Sequence, residues 1–373
     1  MTISPTKKLA GAALAAGVIV ALTGCGSAPA PASSSGGAKP ADSSFKPCIV
    51  SDDGGWNDRS FNQSAKEGLD KITKELGIKA TELQSDSADQ YGPNLEQLVS
   101  SGCTYIITVG FNLSADTIKS AKANPKINYA IIDDLADGDQ DGKPDAPNIK
   151  PLLFDTVQAA YLGGYAAASW SHEKGVDKVG TFGGLQIPPV TIFMDGFVQG
   201  VKKFNEDKQA NVQSIGWDVE KQNGSMTGGF AANDTAKQTA QSILDQGVDV
   251  VLPVGGPIYQ SAAAAIKAQG KDTLMMGVDS DLAVADSSVA DITLVSIQKN
   301  IGEAVYAAVK DAAAGKVDTT PYVGTLENKG VGLSSFHDFE SKLPKGLTDE
   351  LKKLQDEIIS GSLKVTSVSS PKA

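Results

Sequence analysis

From residue 46 onward, short runs of β-branched and aliphatic residues alternate with stretches of helical period. In chain order the strand-like runs are CIVSD, KATELQ, TYIITVG, NYAIID and IKPLLF, then KVGTFG, VQSIGW, VVLPVG, LMMGVD and ITLVSI. Between them, apolar positions recur at three- and four-residue spacing, which predicts amphipathic helices. The segment SFNQSAKEGLDKITKELG places Phe61, Ala65, Leu69, Ile72 and Leu76 on one face. Ser60 and Gln63 stand at capping-box spacing at its start, and Gly77 stands at its C′ position. Strands alternating with helices predict parallel sheets covered on both faces, an α/β architecture. About ten strands exceed one comfortable sheet, so two doubly wound, Rossmann-like lobes joined by a hinge are expected. In such sheets ligands bind at the carboxyl ends of the strands.

The N-terminal end follows another pattern. Lys7 and Lys8 precede an uncharged run from Leu9 to Leu22, followed by small residues and Cys25. This is the three-part layout of a secretory signal, and the run is too short for a comfortable membrane span. Leu22-Thr23-Gly24-Cys25 resembles a bacterial lipobox, so residues 1–24 are expected to be a lipoprotein signal peptide and Cys25 the lipidated residue. A plain signal peptide with a chance cysteine is the alternative. Acyl chains gain about 0.8 kcal/mol per buried methylene, so two or three of them anchor a protein durably. Residues 25–45 are nearly all Ser, Ala, Pro and Gly and read as the lipid anchor and a flexible tether. The body is expected to be soluble, monomeric and held on the extracytoplasmic face of the cell membrane.

The chain has 373 residues, 33 Lys and Arg against 44 Asp and Glu, and a formal charge of -11. Losing residues 1–24 removes two lysines and no acid, which makes the charge -13. An acidic chain of this kind lacks the clustered cations that nucleic acid requires. With only His172, His337 and one arginine, Arg59, it also lacks material for a histidine-rich metal site. Cys48 and Cys103 each open an apolar run, and exported proteins keep disulfides. If those runs are adjacent parallel strands, the two cysteines share a sheet edge and a disulfide is expected; two buried thiols are the alternative.

The sharpest motif follows the first strand: Asp52-Asp53-Gly54-Gly55-Trp56-Asn57-Asp58-Arg59-Ser60-Phe61-Asn62. It gathers carboxylates, an amide and aromatics at a strand-to-helix turn, and it is neither a Walker loop nor GxGxxG. An ordinary capped turn with Phe61 in the core is the plainer reading. The stretch SDDGGWNDRSFNQSAKEGL resembles the signature of the basic membrane protein family, the purine-nucleoside-receptor-like lipoproteins. TVGF at 108–111, YAIIDD at 129–134, YLGGYAAA at 161–168, FGGLQIPPV at 182–190, FMDGFVQGV at 193–201, PVGGP at 253–257, GVDSD at 277–281 and SIQKN at 296–300 extend the resemblance over the whole body.

That resemblance implies a solute-binding lipoprotein of an ABC importer, of periplasmic-binding-protein type I architecture, with a membrane permease as partner. Asp52 and Asn62 would bond a base, Phe61 would stack on it, and Asp133 would meet polar groups of base or sugar. Asp279 would accept ribose hydroxyls, with Gly256 and Lys299 completing the sugar contacts. The opposing ring is placed at Phe230 rather than at Met226, in a stretch where this chain carries extra residues. Arg59 stands where the family usually has lysine. The family's chain path implies lobe 1 at 46–156 plus 297–318 and lobe 2 at 157–296 plus 319–368. Trp56 is expected to change its fluorescence on binding.

A flat base between two rings gains apolar burial and about 0.5–1.5 kcal/mol of stacking per face. Carboxylates are strong acceptors for ribose hydroxyls, and a nucleotide's phosphate would be repelled by them. A sugar or signalling compound on the same scaffold is the alternative ligand. No Ser-His-Asp or Cys-His set is evident, so the chain is expected to be no enzyme and to need no cofactor. Asp137-Gly-Asp-Gln-Asp-Gly-Lys-Pro-Asp145 looks like the front half of a calcium loop, but Asn148 stands where a bidentate Glu is needed. Calcium binding and a solvated acidic loop both stay open.

Overall fold

The structure is a computed structural model that describes residues 44–372 apart from 271. The expected signal peptide, the lipidation at Cys25 and nearly all of the 25–45 tether lie outside the described residues.

The chain first builds β1 (Pro47–Ser51), α1 (Phe61–Leu76), β2 (Thr81–Leu83), α2 (Tyr91–Ser100), β3 (Tyr105–Val109), α3 (Ser114–Ala123), β4 (Asn128–Ile132) and β5 (Ile149–Phe154). It then crosses into α4 (Val157–Glu173), β6 (Lys178–Gly183), α5 (Pro188–Lys208), β7 (Gln213–Ile215), a small hairpin of β8 (Trp217–Asp218) and β9 (Asn223–Gly224), and α6 (Asp234–Leu244). The same lobe continues with β10 (Val250–Val254), α7 (Ile258–Gln269), β11 (Leu274–Asp279), α8 (Leu282–Ala285) and β12 (Thr293–Lys299). Next, α9 (Ile301–Ala313) and β13 (Tyr322–Gly324) return to the first lobe, and β14 (Val331–Leu333) and α10 (Leu347–Ile359) finish on the second.

Two six-stranded sheets result, ordered β13-β5-β4-β3-β1-β2 and β14-β12-β11-β10-β6-β7. Within them every pairing is parallel except β12 with β14. Parallel strands are buried on both faces, which is why β1 and β3 read as unbroken apolar runs. Ile49, Ile107, Ala130 and Ile132 face Ala65, Leu69 and Ile72 of α1. The alternate residues Val50, Ile106 and Ile131 pack with Leu95, Leu98 and Ile118 of α2 and α3. Each buried Val, Leu or Ile among them contributes roughly 1.5–3 kcal/mol. Cys48 and Cys103 lie in that second layer, joined by a disulfide with Cα atoms 6.0 Å apart.

The second and third crossings come later than 296 and 318. Apolar alternation stops at Ile297, but Gln298 and Lys299 keep pairing with Gly332 and Val331 of β14, so the strand runs to 299 in the second sheet. Residues 322–324 pair with β5 of the first sheet, not the second. A three-residue strand is too short for periodicity to reveal.

Candidate ligand-binding site

Each sheet reverses its winding once, between β1 and β3 in the first and between β6 and β10 in the second. These are the switch points where open α/β sheets bind ligands, and here the two face each other. The loops after those strands enclose a cavity between the lobes, the place where two-lobed folds hold small molecules. Asp52, Phe61, Asn62, Asp133, Phe230, Gly256, Asp279 and Lys299 all line it.

Asp52 leaves β1 with its N–H still bonded to Val109 O of β3 at 3.2 Å. Its Oδ1 accepts from Gly54 N at 3.1 Å and from Asn62 Nδ2 at 2.7 Å. Beside it, Gly110 has φ 117°, and a Cβ there would come within 2.6 Å of Asp52 Oδ2, so only glycine fits. Burial, aided by the charges of Asp53 and Asp58, outweighs the two hydrogen bonds and pushes the Asp52 carboxyl up to about 7. Because Asn62 gives its amide N–H to Asp52, its Oδ1 turns away and is buried without a partner. A buried acceptor without a partner, on a residue that lines the cavity, calls for a donor.

Asp58 holds the start of α1. Its two oxygens accept from the N–H groups of Ser60 (3.0 Å), Asn62 (2.8 Å) and Gln63 (3.0 Å), against which burial lifts its pKa to about 6. The expected capping box of Ser60 and Gln63 is therefore not formed, and the Gln63 side chain turns to Glu67. One carboxylate supplies more acceptors than a hydroxyl can, which leaves Ser60 Oγ to donate across the cleft to Asp279 Oδ2 at 2.8 Å.

Asp133 and Asp279 close β4 and β11, the third strands of their sheets as ordered above. Lys299, only 3% exposed, ends β12 with Nζ 2.5 Å from Asp133 Oδ2 and 3.6 Å from Asp279 Oδ1. Burial draws its pKa down, but the two carboxylates outweigh that and raise it, so the ammonium stays charged. It also lies 5.0 Å from the centroid of the Phe61 ring and 5.3 Å from that of Phe193. Phe230 lies against Gly184, where an added Cβ would come within 2.4 Å of the ring. Met226 packs on Gly183 instead and is absent from the lining.

Several lining residues carry no role in the sequence reading: Asp58, Asn112, Pro189 and Phe193. Pro189 and Phe193 lie four apart at the start of α5, just beyond the carboxyl end of β6, which is the signal that could have found them. Trp56 does not line the cavity; its backbone N–H is bonded to Gln84 Oε1. In the acidic loop, carboxylate oxygens of Asp137, Asp139 and Asp145 lie within 4.8 Å of one another. Asp137 accepts from the N–H groups of Asp141 and Gly142, and Asp145 pairs with Lys122 at 2.8 Å. Asn148 turns inward to the carbonyls of Ala121, Asn124 and Ile127, so the twelfth position fastens the loop to the body rather than facing the carboxylates.

The family described as ABC transporter substrate-binding protein PnrA-like matches residues 45–368. The chain belongs to that family. A relative named ABC transporter nucleoside-binding protein BmpA, from Lactococcus lactis subsp. cremoris, is 30% identical over 96% of this chain and 98% of its own. An uncharacterized lipoprotein of Pyrococcus horikoshii is 30% identical over 78% of this chain and 68% of its own. Among solved structures, an ABC transporter solute-binding protein from Aeropyrum pernix K1 superposes with a TM-score of 0.73 at 25% identity, covering 87% of this chain and 93% of its own. This PnrA-like chain is thus a substrate-binding protein of an ABC transporter, built on the two-lobed fold of such proteins. Among the described residues no helix is long and apolar enough to cross a membrane.

Proposed function

We propose that this substrate-binding protein captures a nucleoside, with purines favoured, between its lobes. In this reading it is a monomer anchored through Cys25 on the extracytoplasmic face, delivers its ligand to a membrane permease, and performs no chemistry on it. One observation carries the reading: rings from opposite lobes, Phe61 and Phe230, share a single cavity with Asp52, Asn62, Asp133 and Asp279. Rings suit a planar base, and acceptors suit its N–H groups and the ribose hydroxyls. The names of the BmpA and lipoprotein relatives agree with the ligand and the anchor.

Calorimetry against nucleosides, free bases, nucleotides and sugars tests the reading. Nucleosides should bind, while nucleotides bind poorly, because phosphate meets the acidic groups of Asp52, Asp58, Asp133 and Asp279 with Lys299 already committed to two of them. Ribose binding as tightly as a nucleoside would transfer the assignment to a sugar receptor. Free base released from inosine by the purified protein would make it an enzyme.

A further inference from the structure

We infer that Arg59 and Asp286 form a latch across the cleft mouth that sets how long a ligand stays bound without touching it. The inference rests on the reading that the ligand is held between the two lobes. Arg59 belongs to the first lobe, at the turn before α1, and its Nη1 lies 2.6 Å from Asp286 Oδ1 on the second. Neither residue lines the cavity.

The receiving half is built in advance. Asp286 sits between α8 and β12, with its side chain 8% exposed. It accepts from Tyr259 Oη at 2.8 Å and from Ser288 N and Oγ at 3.1 and 2.7 Å. All of those donors are in the second lobe, so the seat persists when the lobes part. The donating half is also constrained: Arg59 has φ 54°, a left-handed conformation, between Asp58, which caps α1, and Ser60. Next to it the seam continues, with Ser60 Oγ on Asp279 and Ser280 Oγ donating to Ser60 O at 3.2 Å. The chain's single arginine is thus spent on this contact.

An ion pair present only when the lobes meet has differential affinity for the closed state. With the acceptor fixed beforehand and the donor on a short turn, closing it orders few new groups. It should slow opening and release while leaving the encounter with the open cleft unchanged. Lysine at 59 would keep the charge but lose the planar fork.

The test is stopped-flow binding of inosine and guanosine to the full mature chain. Asp286→Asn and Arg59→Gln should each raise koff roughly threefold to tenfold, since a half-exposed pair is worth little more, with kon changed less than about twofold. The double variant should be no worse than the more impaired single variant, and Arg59→Lys should recover part of the effect. Unchanged koff in both single variants, or single effects that multiply in the double, would overturn the latch. If the wild type binds no nucleoside, the nucleoside reading fails on its own. The latch is then judged on ligand-free protein carrying spin labels at positions 74 and 260. There Asp286→Asn should lengthen the interlobe distance distribution, and an identical distribution sinks the latch.

Discussion

Asp133 and Asp279 occupy equivalent places in the two lobes and share one ammonium. Each closes the third strand of its sheet, each adopts a left-handed backbone (φ 68° and 65°), and Lys299 lies between their carboxylates. Non-glycine residues in that region are strained and gather at functional sites. Asp and Asn tolerate the conformation better than Ala, so Asn is the cleaner replacement. Asp279→Asn should weaken nucleoside binding at least about tenfold, because a hydroxyl loses its charged acceptor. The melting temperature should move by only a few degrees. Calorimetry that finds wild-type affinity in this variant removes ribose recognition from the proposal.

Lys299→Met poses the opposite problem. It leaves two buried carboxylates facing each other without a cation, and removing one partner of a buried pair costs about 3–5 kcal/mol. Burial already raises the Asp133 carboxyl and the Lys299 ammonium opposes that rise, so without the ammonium the Asp133 carboxyl rises further in the variant. A raised carboxyl contributes stability at low pH that is lost as pH climbs through the raised value. The deficit in urea midpoint should therefore be larger at pH 8 than at pH 5.5. Equal deficits at both would mean that the ammonium is not what opposes the effect of burial on the Asp133 carboxyl.

Asp52 gives the binding site its own pH dependence. Its folded pKa of about 7 lies above the ordinary 3.8 because of burial. Between those values the folded state holds a proton that the unfolded chain has released, so stability falls as pH rises from about 4 to 7. A base N–H that donates to this group favours the ionised form, which draws the pKa back down on binding. Nucleoside affinity should accordingly rise from pH 5.5 to 8, with protons released into buffer near pH 6.5. Asp52→Asn should flatten that profile, bind poorly, and be more stable than wild type at pH 8. Calorimetry in buffers of different ionisation enthalpy measures the proton count, and zero release at pH 6.5 would contradict the assignment.

How much of this could be read from the chain depends on the range of each interaction. The strands of both sheets are legible because parallel strands buried on two faces must be apolar throughout, as β1 and β3 are. Their carboxyl ends are legible because polar residues and glycines collect there, Asp52, Asp133 and Asp279 among them. What hides is whatever is decided at a distance. Ser60 looks like a cap from its neighbours alone, yet its partner is 219 positions away. Arg59 looks like a turn former until Asp286 appears opposite it. The strands β13 and β14, three residues each, carry too little pattern to register, and so the hinge crossings shift by a few residues.

The disulfide separates stability from binding. Cys48 and Cys103 are 0% and 2% exposed and 55 residues apart in sequence. On the chain-entropy account, a loop of that length restrains the unfolded state by about 4 kcal/mol. Cys48 precedes Asp52 by four residues along an extended strand, about 13 Å at the usual rise per residue, so the bridge stands well away from the cavity. The Cys48→Ala/Cys103→Ala double variant should melt about 5–10 °C lower. It should also bind nucleoside with near wild-type affinity when measured well below that temperature. Loss of affinity at full foldedness would mean that the register of β1 against β3, and with it the position of Asp52, depends on the bridge rather than on the apolar packing of Ile49, Val50, Ile106 and Ile107.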